Sequence, residues 1–388
     1  MENSKIMYLD NAATTQAHPE VVGAMVRSFE TEYANPSSLY DLGIADEKRV
    51  KAARATIAGA IHGDPREIIF TSGGTEGDNF LIKGIIENQR PEKMKTMGIV
   101  TTAIEHPAVK EVFAMYEACG IHVTWLDVDG EGRIDLKQLE DAVDANTCLV
   151  SVIGVNNELG TVQDLKAIGA VIKKKNPQCF FHSDYVQGFM KVPVDVAACQ
   201  LDGLTLCGHK INGPKGIGAV YLRRGSRIKP LMLGGGQESG LRSGTENVQS
   251  IVGFEKAIQI WQDPQVMARI AGFRDYVARE LTALEEVRVN GPEDACPSVM
   301  SVSIKGLRGE VLLHSLEARK VYISTGSACS SHKKEKNAVL KAINLDRSYM
   351  EGTIRVSFSA LTTREEVEGA VAIMKEEIVK LRKFMNRL

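Results

Sequence analysis

The sequence predicts an α/β protein, with a large lobe on a mostly parallel seven-stranded sheet and a smaller α+β lobe beside it. Three observations lead there. Seven short β-rich runs alternate with amphipathic stretches over the first two-thirds of the chain, and the pattern changes after a Gly-rich segment. At 388 residues the chain is also long for one core and comfortable for two packed lobes.

The runs, in order, are EIIFTSG, MGIVTTA, HVTWLDV, CLVSVIGV, CFFHSD, GLTLCGHK and IGAVYL. Helical periodicity fills the gaps, as from Thr75 to Asn88 and from Asp164 to Lys175. Strands joined by helices of this length need crossover connections, which make neighbouring strands parallel and cover both faces of the sheet. IGAVYL follows its predecessor too closely for such a helix, so it is predicted as an antiparallel edge strand. Beyond LGGGQESGLRSGTENV one long helix is predicted from about Val248 to Leu284. SVMSVSIKG, another helix, VYISTG, GTIRVSFSA and a closing helix come next. These patterns divide the chain into a large domain, 16–250, and a small one made of 1–15 and 251–388. No Pro/Ser-rich linker separates them, so a shared interface is expected.

Hydrophobic residues make up 44% and charged residues 25%, the balance of a soluble globular protein. The formal net charge of -2 gives no general attraction to nucleic acid or anionic membrane. No apolar run is long enough to span a bilayer, and MENSKIMYLDNAATT does not read as a signal or transit peptide, so a cytoplasmic protein is expected. Seven cysteines, irregularly spaced and without a CxxC pair, argue against a zinc site or disulfide framework, and no metal is expected. Most lie in or beside apolar segments. Cys329 lies instead in the polar stretch ISTGSACSSHKKEKN, which places one thiol on an accessible loop.

Ligands of open parallel sheets bind at the carboxyl ends of the strands, and polar residues gather there in this sequence. SGGTEGDN opens a helix after EIIFT. Its glycines, Gly74 among them, allow backbone N–H groups to approach an anion, and Thr75 adds a hydroxyl. Asp184 ends an apolar strand and either faces a cation or caps the next helix. Lys210, before a Gly/Pro turn, either forms an imine with an aldehyde cofactor or is a solvated charge. His106 in EHPAV can stack on an aromatic ring and move protons, and NNELG supplies Asn156 and Asn157. Each has an ordinary structural explanation, but their convergence on consecutive strand ends points to one site.

The segments YLDNAATT, NPSSLY, FTSGGTEGDN, EHPAV, NNELGTVQD, DYVQ, GHKINGPKG, GGGQESGLRSGTEN, STGSACSS and TIRVS follow one another along nearly the whole chain. Together they resemble the cysteine desulfurases of the NifS/IscS family, specifically the longer-loop branch. The resemblance implies the fold type I of pyridoxal 5'-phosphate-dependent transferases. It also implies conversion of L-cysteine to L-alanine, with the sulfur held as a persulfide on Cys329 and passed to an acceptor protein such as an iron–sulfur scaffold or a tRNA-thiolation protein.

By that resemblance Lys210 is the Schiff-base lysine and Asp184 pairs with the pyridinium nitrogen. Gln187 bonds the phenolic oxygen with Asn157 near the same edge, His106 stacks on the ring and assists proton transfer, and Val186 supports the other face. Gly74, Thr75, Cys207 and His209 surround the phosphate, and Thr245 reaches the cofactor of a second copy in a homodimer. Arg355 clamps the substrate carboxylate, a task suited to its bidentate fork, and Asn157 also binds the substrate. Four positions depart from the family pattern: Cys207 replaces a serine, Tyr185 a small residue and Ser239 an arginine, and VSFSALTT differs after Arg355. A selenocysteine lyase or other β-lyase of the same fold, or an inactive sulfur-pathway scaffold, are the competing readings.

Overall fold

The computed structural model describes residues 6–325 and 337–385. The chain enters on a two-residue strand, β1 (Met7–Tyr8), and two helices, Pro19–Thr31 and Asp41–Ala60. Seven strands follow: β2 (Ile68–Thr71), β3 (Gly98–Thr102), β4 (His122–Leu126), β5 (Thr147–Ser151), β6 (Phe180–Asp184), β7 (Gly203–Cys207) and β8 (Gly218–Leu222). They form one sheet in the order β2-β8-β7-β6-β5-β3-β4. The four pairings from β7 through β6, β5 and β3 to β4 are parallel. All seven predicted runs therefore form strands, and the mostly parallel seven-stranded sheet is present.

IGAVYL is antiparallel as expected but is not an edge. β8 lies between β2 and β7 and pairs antiparallel with both, so β2 is the edge. All five β8 residues are buried and none is a proline, so both sides of its backbone can be paired. Its second partner comes from far earlier in the chain, where local spacing carries no signal.

The helix Gly74–Glu87 crosses β7 and β8 closely. Gly77 permits this approach, because a Cβ there would lie 2.8 Å from Thr205 Cγ2 and 2.9 Å from Val220 Cγ1. The first turn of that helix is thereby held over the carboxyl ends of the central strands.

A second sheet, in the order β12-β10-β9, is antiparallel and contains β9 (Val287–Asn290), β10 (Val299–Ile304) and β12 (Thr353–Ser357). β11 (Val321–Tyr322) pairs in parallel with β1. One buried apolar cluster includes Leu204 of β7 and Val302 of β10. The long helix expected from Val248 to Leu284 is instead two helices, Val248–Trp261 and Pro264–Thr282. Asp263 accepts from the Gln265 N–H and Pro264 occupies the first turn, which starts a new helix. β9 was not foreseen: it is four residues long and partly exposed, so it lacks a clear apolar run. No helix among the described residues is long and apolar enough to cross a membrane.

Candidate active site

Four consecutive parallel strands deliver side chains to one edge of the large sheet. His106 follows β3, Asn157 follows β5, Asp184 ends β6 and Lys210 follows β7. They line a cavity of about 240 Å³ together with Gly74, Thr75, Val186, Gln187, His209 and Arg355. Cys207 is fully buried and Thr245 is exposed on its loop; neither lines this cavity. Cys329, with His332, Lys333 and Lys334, lies outside the described residues.

Lys210 reaches the cavity wall formed by YLDNAATT. Its Nζ donates to the carbonyls of Ala12 and Ala13, the latter at 2.8 Å. Burial pushes its ammonium down to about 8, the neighbouring thiol of Cys207 opposing and Arg355 reinforcing the fall. The amine is thus protonated below about pH 8 and neutral above it. Capture of added pyridoxal phosphate by cofactor-free protein should therefore accelerate about tenfold per unit from about pH 6 to about pH 8 and then level off. Stopped-flow absorbance measures this; a flat profile would show that another group controls capture.

Asp184 is buried, which raises its carboxyl; His106 and Lys210 oppose the rise, and Val186 N–H donates to Oδ1 at 2.9 Å. Asp78, another lining residue, is raised well above the carboxylate range by burial and then by Asp184. Its Oδ1 has no hydrogen-bond partner. Behind it His182 is pushed by burial to about 3 and stays neutral between the hydroxyls of Ser151, at 2.8 Å, and Thr205, at 3.0 Å. Glu105 is held up at about 8 by burial, although the Thr102 hydroxyl and Ile153 N–H donate to its Oε1, each at 2.7 Å. Such a buried, acid-rich floor resists further negative charge and favours a cation at Asp184.

His106 caps the helix Pro107–Ala118, its Nδ1 accepting from Ala108 N–H at 3.1 Å. That bond leaves the ring proton of the neutral imidazole on Nε2, and burial favours the neutral form. Arg355 is nearly inaccessible. Its guanidinium donates to Asp10 Oδ1 at 2.9 Å and to the Asn157 carbonyl at 3.0 Å, while the buried Nε has no partner. Sequence reasoning missed Ala12, Ala13, Asp78, Glu105 and Asp10 as parts of this site. The signal for Ala12, Ala13 and Asp10 was YLDNAATT, which matched as a motif without naming its contacts.

The lining fits pyridoxal phosphate. An amine, a buried carboxylate needing a cation and a ring-sized imidazole converge on one cavity. The N-terminus of the helix Gly74–Glu87 also lacks a side-chain cap and can hold a phosphate. Tyr185, one of the departures, packs away from the cavity. It is 2% exposed, its hydroxyl donates to the Val192 carbonyl at 2.9 Å, and its ring lies against Gly154 and Gly188. A Cβ at Gly154 would come within 2.4 Å of Tyr185 Cδ2. Gly154→Ala is expected to cost about 1–3 kcal/mol by overpacking. A urea melt checks this, and an unchanged midpoint would contradict it. Ser239 adopts a left-handed conformation beside Glu238, whose carboxylate pairs with both terminal nitrogens of Arg54 at 2.7 Å.

The family model "Aminotransferase class-V" matches residues 7–369. A cysteine desulfurase of Trichormus azollae is 40% identical over 381 residues, covering 97% of this chain and 94% of that protein. A cysteine desulfurase IscS of Clostridium botulinum is 38% identical over 391 residues, covering 99% and 97%. The solved structure of a NifS-like protein superposes with a TM-score of 0.90 at 34% identity, covering 97% of this chain and all of that one, which gives the fold as type I of the pyridoxal-phosphate enzymes. This chain belongs to the class-V aminotransferase family and, within it, to the cysteine desulfurases.

Proposed function

We propose that the protein takes sulfur from L-cysteine with pyridoxal 5'-phosphate as cofactor, leaves L-alanine, and carries the sulfur on Cys329 to an acceptor protein. The observation that carries this reading is the meeting of Lys210, Asp184, His106 and Arg355 in one cavity. When bound, the cofactor supplies an electron sink that makes the substrate's Cα proton and Cβ–S bond labile.

The chain's own residues do the rest. Lys210 would anchor the cofactor through its amine and would move the substrate's Cα proton. Asp184 would keep the cofactor's ring nitrogen protonated, and His106 and Val186 would pack against the ring. Gly74, Thr75 and His209 would hold the phosphate, with Cys207 close by at the end of β7. Arg355 binds the substrate carboxylate, and its ion pair with Asp10 orients the guanidinium before substrate arrives. The Cys329 thiolate attacks the substrate sulfur; an S–S bond forms as the Cβ–S bond breaks, and a proton returns to Cβ to give alanine.

A homodimer completes the site through Thr245. In support, Val22, Val26 and Phe29 are exposed along one face of the helix Pro19–Thr31, and Leu39 and Tyr40 are exposed nearby. We place the reaction in the reducing cytoplasm, because all six described cysteines are free thiols. With a large domain of 16–250, the cavity lies mainly in that domain, and the small one supplies Ala12, Ala13 and Arg355 to it. Incubation with L-cysteine tests the function. Alanine and protein-bound persulfide should appear together in equal amounts before reductant is added, and pyruvate or free sulfide in their place would refute it.

A further inference from the structure

Lys191 is a buried cation that the chemistry above leaves unused. It is 7% exposed, lies four residues beyond Gln187 in the same turn segment, and its Nζ lies 5.8 Å from the centre of the Trp261 ring. No carboxylate among the described residues pairs with it. Its hydrogen bond goes to Gln187 Oε1 at 3.3 Å. The other end of that amide, Nε2, donates to the Ala12 carbonyl at 2.9 Å, the same carbonyl that Lys210 engages.

These contacts determine which way the amide points. An ammonium only donates and a carbonyl only accepts, so Oε1 must face Lys191 and Nε2 must face Ala12. Gln187 lines the cavity, and its second Nε2–H remains for an acceptor there. A buried ammonium without a carboxylate is costly unless it serves an anion nearby. Burial accordingly holds Lys191 below its ordinary range.

We propose that Lys191 is a positioning residue that locks Gln187 as a donor toward the cavity and, through that amide, stabilises an ionised phenolic oxygen on the bound cofactor. This rests on the cofactor reading given above. The other groups around Lys191 are the thiols of Cys207 in β7 and Cys296 ahead of β10, with His209 and Lys210 within electrostatic reach. The cavity that would hold the cofactor is lined by His106, Asp78, Asp184, His209, Lys210 and Arg355. A cation on the phenolic side opposes protonation of the chromophore, so removing it should make that protonation easier.

The test is a pH titration of the cofactor's absorbance in the holoenzyme. Lys191→Met should raise the midpoint by about half a pH unit or more, whereas Lys191→Arg should stay near the wild-type value. Lys191→Gln, neutral but polar, gives the same comparison if methionine is not tolerated. A wild-type midpoint in both neutral variants, with only melting temperature altered, would overturn the inference by leaving Lys191 a structural role. A shift in Lys191→Arg as large as in Lys191→Met would overturn it too, since charge would not then be the cause. A wild-type protein with no cofactor band would overturn the cofactor reading itself and this inference with it. A normal wild-type band with an unmoved Lys191→Met overturns this inference alone.

Discussion

Lys210→Ala is expected to lower turnover of L-cysteine by ~10³-fold or more and to remove the absorbance band of covalently held cofactor. Two roles are lost together. The side chain is the amine expected to anchor the cofactor, and it is the base best placed for the Cα proton. Its surroundings suit both. Burial lowers it to about 8, so a useful fraction is neutral near physiological pH, and the Ala12 and Ala13 carbonyls hold it at the cavity wall. His106 is a poor substitute: its Nδ1 is engaged with Ala108 N–H, and only Nε2 is left to act. Small primary amines added to the variant should restore part of the rate, which separates loss of the amine from collapse of the site. A variant with more than about a tenth of wild-type turnover would show that Lys210 does not have this role.

Much of the site was legible because the large sheet presents it in a simple code. Each parallel strand ends at the same edge, so the polar residue after each apolar run falls beside its neighbours. Asp184, Lys210, His106 and Asn157 were readable for that reason. What escaped were groups whose role depends on contacts distant in sequence. Asp10 matters through Arg355, 345 residues away, and Ala12 through the Lys210 amine. Asp78 and Glu105 read locally as ordinary helix and loop acids. Only burial beside Asp184 makes them part of an acidic floor. The interior position of β8 was hidden in the same way, since its second partner, β2, lies far upstream. Lys191 carries no local sign of burial in the sequence, since its contacts with Gln187 and Trp261 exist only in the fold.

Cys329→Ala should still bind L-cysteine at the cofactor, seen as a change in its absorbance, yet form alanine and reductant-releasable sulfide only at background level. The reason is the scarcity of other usable thiols. Burial pushes Cys148 up to about 12 and Cys207 to about 11, and raises Cys179 as well, so none of these is a thiolate near neutrality. Cys199 is half-buried and also raised, and Cys296 is buried. Cys119 is exposed, but it caps the far end of the 12-residue helix that His106 begins, roughly 18 Å away at 1.5 Å per residue. Without an acceptor thiol the Cβ–S bond has no partner to receive its sulfur. Proton exchange at Cα, which needs only the cofactor and Lys210, should continue, so deuterium uptake into cysteine from heavy water would persist while alanine production stops. If the variant released sulfide at the full rate, the sulfur would be leaving by simple elimination. The protein would then be a β-lyase, with no persulfide in its cycle.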